Sequence, residues 1–210
     1  LNSTQIAKGD SLRRRQLESL QSFDRSIGKI LDELTSTGRI NNTLIIFIGD
    51  NGLTWGEHRF HDTKGCPYEE CIRVPLWIRV PGQIGRNESA LALNIDLAPT
   101  IVAYTGVTPP SLINGVSLLN IINDPNASWR SDFLIEWQYS GTFPIPQPER
   151  DFYAVRDNQG HIYVEYTTTG EKEFYDLNVD PYQLTNSINN STYTSIINSL
   201  KTRLAALKTA

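Results

Sequence analysis

The feature that most constrains the fold is a short apolar run, residues 43–48, which is followed at once by Gly49-Asp50-Asn51-Gly52. The run is continuously hydrophobic and rich in β-branched residues, whereas a half-exposed strand alternates apolar and polar side chains. We therefore expect a strand buried on both faces, as in a parallel sheet. A second such strand is expected at residues 76–80, where Pro81-Gly82 ends it.

Helical patterns flank these two strands. Residues 11–37 carry apolar side chains at three- and four-residue spacing, with Gly38 as the C-cap, which predicts an amphipathic surface helix. Further helices are expected at residues 96–104, with Asp96 as N-cap, and at residues 118–122. Helix, buried strand, loop, strand and helix is the order typical of a layered α/β domain.

The composition changes in the last third of the chain. Short aromatic and β-branched runs, separated by hairpin-type turns, occur at residues 133–139, 152–155, 162–168 and 173–177. Residues 191–208 form an apolar helical stripe, and the proline-rich residues 143–148 predict a rigid surface loop. We therefore expect a small antiparallel sheet covered by one helix, with an α/β domain over residues 1–128 and this smaller subdomain over residues 129–210.

Composition and charge exclude several classes of protein. With 39% hydrophobic and 20% charged residues in 210, the chain is a globular one and not a disordered or fibrous one. A net charge of -4 and the lack of a long basic run argue against a nucleic-acid partner. No apolar run is long enough to span a membrane, and no secretory signal opens the sequence. From the opening Leu1 and the absence of Met, we expect that this is not an intact translation product.

Cysteines and potential glycosylation sites bear on the compartment. Cys66 and Cys71 are too few for a disulfide scaffold, and of the two remaining interpretations, a local disulfide or two thiols, we expect two thiols. Six Asn-X-Ser/Thr acceptors exceed the number expected from composition and favour a secreted or lysosome-like route, although an Asn-rich bacterial, periplasmic chain would look the same. They are Asn2, Asn41, Asn87, Asn126, Asn189 and Asn190.

Asp50 and Asn51 follow the first expected strand directly. Ligands of α/β sheets gather at the carboxyl ends of strands, and a carboxylate beside an amide oxygen suits a hard divalent cation. The alternative is a simple turn, because Asp-Asn-Gly is also a favoured turn sequence.

The loop after this strand concentrates cationic and imidazole side chains. His58, His61 and Lys64 lie within it, together with Trp55. Such groups beside a metal suit an anionic, tetrahedral substrate such as a sulfate or phosphate ester. Taken one by one, each histidine is as well explained by a structural hydrogen bond, and Lys64 by a solvated surface position.

Several ordered motifs make the chain recognisable. Residues 48–52 (Ile-Gly-Asp-Asn-Gly), 56–58 (Gly-Glu-His), Lys64 with residues 67–70 (Pro-Tyr-Glu-Glu), and residues 72–76 (Ile-Arg-Val-Pro-Leu) resemble the sulfatase family of the alkaline-phosphatase-like superfamily. Later stretches continue the resemblance to the end of the chain, at residues 94–100, 115–119, 174–177 and 180–186. The resemblance implies the C-terminal part of an alkaline-phosphatase-like layered α/β domain with its small C-terminal subdomain.

The resemblance also implies roles for individual residues. Asp50 and Asn51 fall on a pair that ligates calcium, and Lys64 falls on a lysine that holds the sulfate oxygens. The resemblance gives His58 no firm role, and this histidine could orient Lys64 or contact substrate. His61 and Trp55 are further candidates for substrate binding, and a packing role explains Trp55 equally well. We expect the Lys64 amine about 4 to 8 Å from the Asp50 and Asn51 oxygens, so that one oxyanion bridges metal and ammonium.

The same resemblance implies what this sequence lacks. The family's nucleophile is a formylglycine made from Cys or Ser in Cys/Ser-X-Pro-X-Arg, and neither Cys66 nor Cys71 stands in that pattern. We expect the nucleophile and the remaining metal ligands in an N-terminal half that this chain requires for turnover. The expected function is hydrolysis of a sulfated small molecule or glycan. The alternatives are a phosphodiesterase or phosphonate monoester hydrolase of the same superfamily, and a binding module that retains the fold.

Overall fold

The chain crosses repeatedly between two compact units. The computed structural model describes residues 2–60, 64–109, 111–138 and 151–209. One unit comprises Leu1–Asp50 and Val74–Trp129, and the other Asn51–Arg73 and Arg130–Ala210. The loop with His58 and Lys64 therefore groups with the C-terminal sheet, which the sequence patterns did not indicate. The predicted proline-rich loop lies outside the described residues.

The first unit begins with a long helix, α1, over Ser3–Ser36. It starts earlier than its apolar spacing predicts because Asn2 and Gln5 form a capping box, in which each side chain accepts the other residue's backbone N–H at 2.9 Å. Gly38, with φ 68°, follows the end of the helix as expected. Much of the apolar stripe remains exposed, for example Leu17 at 56% and Ile30 at 59%.

The two strands of this unit pair antiparallel, so the prediction of a parallel sheet is wrong for them. Strand β1 spans Ile45–Ile48 and β2 spans Leu76–Arg79, with Phe47 opposite Trp77. Neither strand is buried on both faces, and Trp77 is 75% exposed. The crossover of a parallel pair is usually a helix that packs on the sheet, whereas the described residues between β1 and β2 form only short helical turns.

Two shorter helices complete the first unit: α3 over Leu97–Thr105 and α4 over Leu119–Asn123. The buried Asp96 carboxylate accepts backbone N–H groups from Leu93 and Val116, both at 2.8 Å. It thereby joins the start of α3 to the segment that leads into α4. A Cβ on Gly115 would lie 2.3 Å from the carbonyl oxygen of Ile95, so this close approach requires glycine.

The second unit confirms the predicted antiparallel sheet and its covering helix. Strands β3 to β6 lie in sequence order, each antiparallel to the next. Helix α5, over Thr194–Leu207, packs Ile197, Leu200 and Leu204 against the sheet. A second apolar cluster of this unit includes Cys66, Tyr68 and Cys71. The strand bounds are Asp132–Trp137, Phe152–Asp157, His161–Tyr166 and Lys172–Asp176.

Among the described residues, no helix combines the length and the apolar character that crossing a lipid bilayer requires.

Candidate active site

Asp50 and Asn51 follow strand β1, as expected, and both are exposed. A simple turn, the alternative interpretation of residues 50–52, does not explain how closely Gly52 approaches the backbone of residues 70 and 71. A Cβ on Gly52 would lie 1.9 Å from the carbonyl oxygen of Glu70, and the Gly52 N–H donates to the Cys71 carbonyl at 2.9 Å. The glycine is therefore required because the backbone after Asn51 lies directly against a second segment of its own unit.

The donor set after β1 fits calcium in part. The Asn51 Nδ2 donates to the Gly52 carbonyl at 2.7 Å, which leaves the amide oxygen as the group of this side chain that can ligate a cation. With the Asp50 carboxylate this supplies two hard oxygen donors, whereas Ca²⁺ takes six to eight. The described residues contain no group of three or more His, Cys, Asp or Glu side chains placed to hold a metal. Within the part of the chain that the structure describes, Asp50 and Asn51 therefore offer only part of a calcium coordination sphere.

His58 lies inside the second unit, with its side chain 8% exposed. Its ring stacks on Tyr68 at a centroid distance of 3.6 Å and an interplanar angle of 11°. Its Nε2 lies 3.4 Å from Oε2 of Glu70, and neither buried atom has a hydrogen-bond partner among the described residues. The two atoms are thus close enough for a charge interaction but lack hydrogen-bond geometry, which a sequence pattern could not reveal.

The other predicted site residues differ in their surroundings. Lys64 is exposed and Trp55 is half-buried. The Trp55 backbone N–H donates to the carboxylate of Glu57. His61 lies outside the described residues. The structure leaves the individual roles of these residues as predictions.

Cys66 and Cys71 form a disulfide, with 5.7 Å between their Cα atoms, so the expectation of two thiols is wrong. The short helix α2, over Glu69–Ile72, folds Cys71 back towards Cys66, and both side chains are buried. Five residues of sequence separation do not themselves indicate this approach, because it depends on where the helical turn begins.

A half-buried carboxyl group, that of Glu173, lies beside Tyr68. The Tyr68 hydroxyl is 3.3 and 3.2 Å from the two oxygens of Glu173, on β6. Burial raises the pKa of the Glu173 carboxyl above its ordinary value, although hydrogen bonds from tyrosine hydroxyls oppose the shift. Burial likewise raises the pKa of Tyr68 to about 12, so its hydroxyl stays protonated and able to donate. Sequence alone offered no sign of this cluster beyond alternation along the strand.

We expect Glu173→Gln to remove a pH-dependent loss of stability. Because the carboxyl pKa is higher in the folded chain, the folded state binds the proton more tightly. Stability is therefore lost as pH rises from about the ordinary value of 4.5 through the raised pKa. Thermal unfolding between pH 4 and 8 should show a smaller decline in Tm for the variant. Glu136→Gln, at an exposed position of the same sheet, is the control. Identical pH profiles for Glu173→Gln and wild type would contradict the expectation.

Comparison with known proteins identifies the class to which this fold belongs. The model of the family "Sulfatase" matches residues 2–107, and that of "N-sulphoglucosamine sulphohydrolase, C-terminal" matches residues 56–210. The chain belongs to the sulfatase family, and its fold is the C-terminal part of the alkaline-phosphatase-like architecture.

Three curated relatives illustrate the range of the match. An N-acetylglucosamine-6-O-sulfatase of Bacteroides thetaiotaomicron is 32% identical over 86% of this chain and 32% of its own length. The human N-acetylglucosamine-6-sulfatase is 31% identical over 84% of this chain and 37% of its own. An extracellular sulfatase homologue of Drosophila melanogaster is 35% identical over 60% of this chain and 12% of its own. The chain spans about a third of the length of the first two.

Solved structures agree with this assignment. A protein in complex with its substrate D-glucosamine-2-N,6-O-disulfate superposes with a TM-score of 0.81 at 29% identity, over 90% of this chain and 39% of that one. A phosphonate monoester hydrolase of Agrobacterium radiobacter superposes with a TM-score of 0.70 at 24% identity, over 89% of this chain and 39% of that one. The second likeness is one of fold alone.

Proposed function

We propose that this chain is the C-terminal part of a calcium-dependent sulfatase that hydrolyses sulfate esters. The observation that carries the proposal is the coincidence of family and site. Two sulfatase family models together match residues 2–210, and the exposed Asp50, Asn51 and Lys64 fall on the family's motifs. A domain that only retained the fold would have no need of all three side chains.

Each of the three side chains has a distinct part in the proposed reaction. The Asp50 carboxylate and the Asn51 amide oxygen would hold calcium, which when bound supplies positive charge next to the sulfate group. The Lys64 ammonium, a compact charge with rotatable donors, would bind sulfate oxygens and stabilise the negative charge that develops on the leaving oxygen. The Lys64 ammonium is exposed to water, so it would lose hydration only when the sulfate group binds.

The nucleophile is proposed to lie outside these 210 residues. No Cys/Ser-X-Pro-X-Arg occurs here, and both cysteines are consumed in the Cys66–Cys71 disulfide. The two oxygen donors after β1 also leave most of a calcium coordination sphere to be filled. We therefore propose that an N-terminal half supplies a formylglycine and the other ligands, and that the chain requires this half for turnover.

The substrate is proposed to be a sulfated sugar, and first of all a sulfated glucosamine. Two relatives are named for N-acetylglucosamine-6-sulfate, and the similar solved structure binds a glucosamine disulfate. Proteins about 30% identical can differ in the alcohol part of the ester that they accept, so an aryl sulfate is tested beside the sulfated sugar.

We propose a secreted, periplasmic or lysosome-like location. The disulfide is of the kind that persists in oxidising compartments. All six Asn-X-Ser/Thr asparagines are exposed, as glycan attachment requires. One relative is named as an extracellular sulfatase homologue. Peptide mapping of the protein from its native source, with and without an N-glycosidase, tests the glycan part of the proposal.

The test of function is an assay of the full-length protein on matched esters. Initial rates are measured with glucosamine-6-sulfate, an aryl sulfate and a phosphonate monoester, with and without a calcium chelator. We expect the sulfate esters to be hydrolysed faster than the phosphonate, and the chelator to abolish the rate. The 210 residues alone should bind the sulfate esters weakly at most and should not hydrolyse them.

The alternatives predict different results in the same assay. A higher kcat/KM on the phosphonate would favour a phosphonate monoester hydrolase, whose fold this chain shares. No turnover of any ester by the calcium-loaded, full-length protein, together with retained binding of a sulfated sugar, would indicate a binding module.

A further inference from the structure

The helical turn α2 lies against the chain that follows the proposed calcium ligands. The Gly52 N–H donates to the Cys71 carbonyl, and the Gly52 Cα approaches the Glu70 carbonyl too closely for any side chain. Asn51 is adjacent to Gly52, and its Nδ2 bonds to the Gly52 carbonyl. The orientation of the Asn51 amide therefore depends on contacts that end on α2.

The same turn holds residues 64–68, which we call the Lys64 segment. Its Cys66 is bonded to Cys71 of α2 through the disulfide. Its Tyr68 stacks on the ring of His58, and His58 Nε2 meets Glu70 Oε2 of α2. Gly65 lies so close to Trp137 that a Cβ would come within 2.5 Å of the indole ring. The Lys64 segment is thus held by three contacts, at Gly65, Cys66 and Tyr68, and the last two lead to α2.

Helix α2 is itself fixed to the sheet of the second unit. The Glu69 N–H donates to Oε1 of Gln183 at 2.8 Å, and Gln183 is 1% exposed. Arg156, on β4, places its Nε 3.2 Å from the Glu69 carboxylate. With four residues, α2 is too short to be stable alone, so these contacts determine its position.

The backbone at His58 indicates that its position is enforced. His58 has φ 53° and the following Arg59 has φ 60°, a region that residues with a Cβ seldom occupy. Such a conformation costs free energy and persists only where surrounding contacts hold it. Two side-chain contacts that hold His58 are the stack on Tyr68 and the approach to Glu70.

We propose that His58 and Glu70 are positioning residues, which together hold the Lys64 segment against α2. The same helical turn binds the backbone of Gly52, to which the Asn51 side chain is hydrogen-bonded. The inference rests on the proposed function for the roles of Lys64 and Asn51. It assigns to His58 contacts with Tyr68 and Glu70 instead of a contact with substrate, because the side chain is 8% exposed, its ring stacks on Tyr68 and its Nε2 approaches Glu70.

The test is a double-mutant cycle in the full-length enzyme, with Glu70→Gln, His58→Asn and the double variant. Glutamine keeps the shape of Glu70 and removes its charge, while asparagine tolerates the positive φ of His58 and removes the ring. Glu136→Gln, at an exposed strand position, is the control. The readouts are kcat and KM on a sulfate ester, inhibition by inorganic sulfate, and hydrogen exchange of peptides that cover residues 51–56 and 64–68.

We expect each single variant to lower kcat/KM by about 10- to 100-fold, the usual loss when a residue that orients a ligand is removed. Sulfate inhibition should weaken in parallel, and exchange should accelerate in the Lys64 segment while the sheet strands keep their protection. The double variant should be little worse than the worse single one, because both changes open the same contact.

Single variants within twofold of wild type in sulfate inhibition and exchange would overturn the inference, as would losses that multiply in the double variant. Failure of both single variants to fold would also overturn it, because the pair would then be a folding element. A wild-type enzyme that hydrolyses no sulfate ester, while the exchange effects appear as described, would contradict the proposed function and not the positioning.

Discussion

Replacement of Lys64 by alanine is expected to lower kcat/KM on sulfate esters by about two to three orders of magnitude in the full-length enzyme, the usual loss for one charge-stabilising donor. The ammonium is proposed to meet charge that grows on the leaving oxygen, so the loss should fall mainly on kcat. Stability should hardly change, because Lys64 is exposed and an exposed side chain supports little packing.

Steady-state kinetics and thermal unfolding of the same preparations measure both parts of this expectation. Lys201→Ala, at an exposed position of α5 in the same unit, is the matched control and should leave kcat/KM unchanged. Near-normal turnover by Lys64→Ala would contradict the assignment. So would a crystal structure of the full-length enzyme with the Lys64 amine far from the Asp50 and Asn51 oxygens.

Replacement of Asp50 by alanine is expected to weaken calcium binding by about 100-fold or more and to reduce activity with it. Calcium binds chiefly through carboxylate charge, and the loss of a direct ligand should exceed the 10- to 100-fold typical of an outer contact. Activity should be partly restored at high calcium concentration, because the fold and Lys64 remain. Asp50→Asn, which keeps an oxygen donor but not the charge, should lie between wild type and Asp50→Ala.

Calorimetric titration of the metal-free, full-length protein with calcium measures the first effect, and activity against free calcium concentration the second. Asp10→Ala, on the exposed surface of α1, controls for the loss of a carboxylate as such. A calcium dependence in Asp50→Ala that matches wild type would show that Asp50 is no ligand.

Local sequence patterns were sufficient to predict most of the helices and strands. The spacing of apolar residues predicted α1 and α5, because a helix stripe recurs every three to four residues whatever surrounds it. Asp157 to Gly160 and Thr169-Gly170 predicted the turns between β4, β5 and β6, since glycine is what a positive φ at these points requires. Periodicity could not tell how β1 pairs, because a continuous apolar run is compatible with either strand direction.

The sequence by itself determined the family, the placing of Asp50, Asn51 and Lys64 after β1, and the C-terminal sheet with its helix. These features depend on residue types at fixed short spacings along the chain, and such spacings can be read without knowing how the chain folds. Only the tertiary structure decided that Cys66 and Cys71 are joined, that His58 lies between Tyr68 and Glu70, and that Gly52 rests on α2. The physical reason is that these contacts depend on how segments separated along the chain come together, which no single segment encodes.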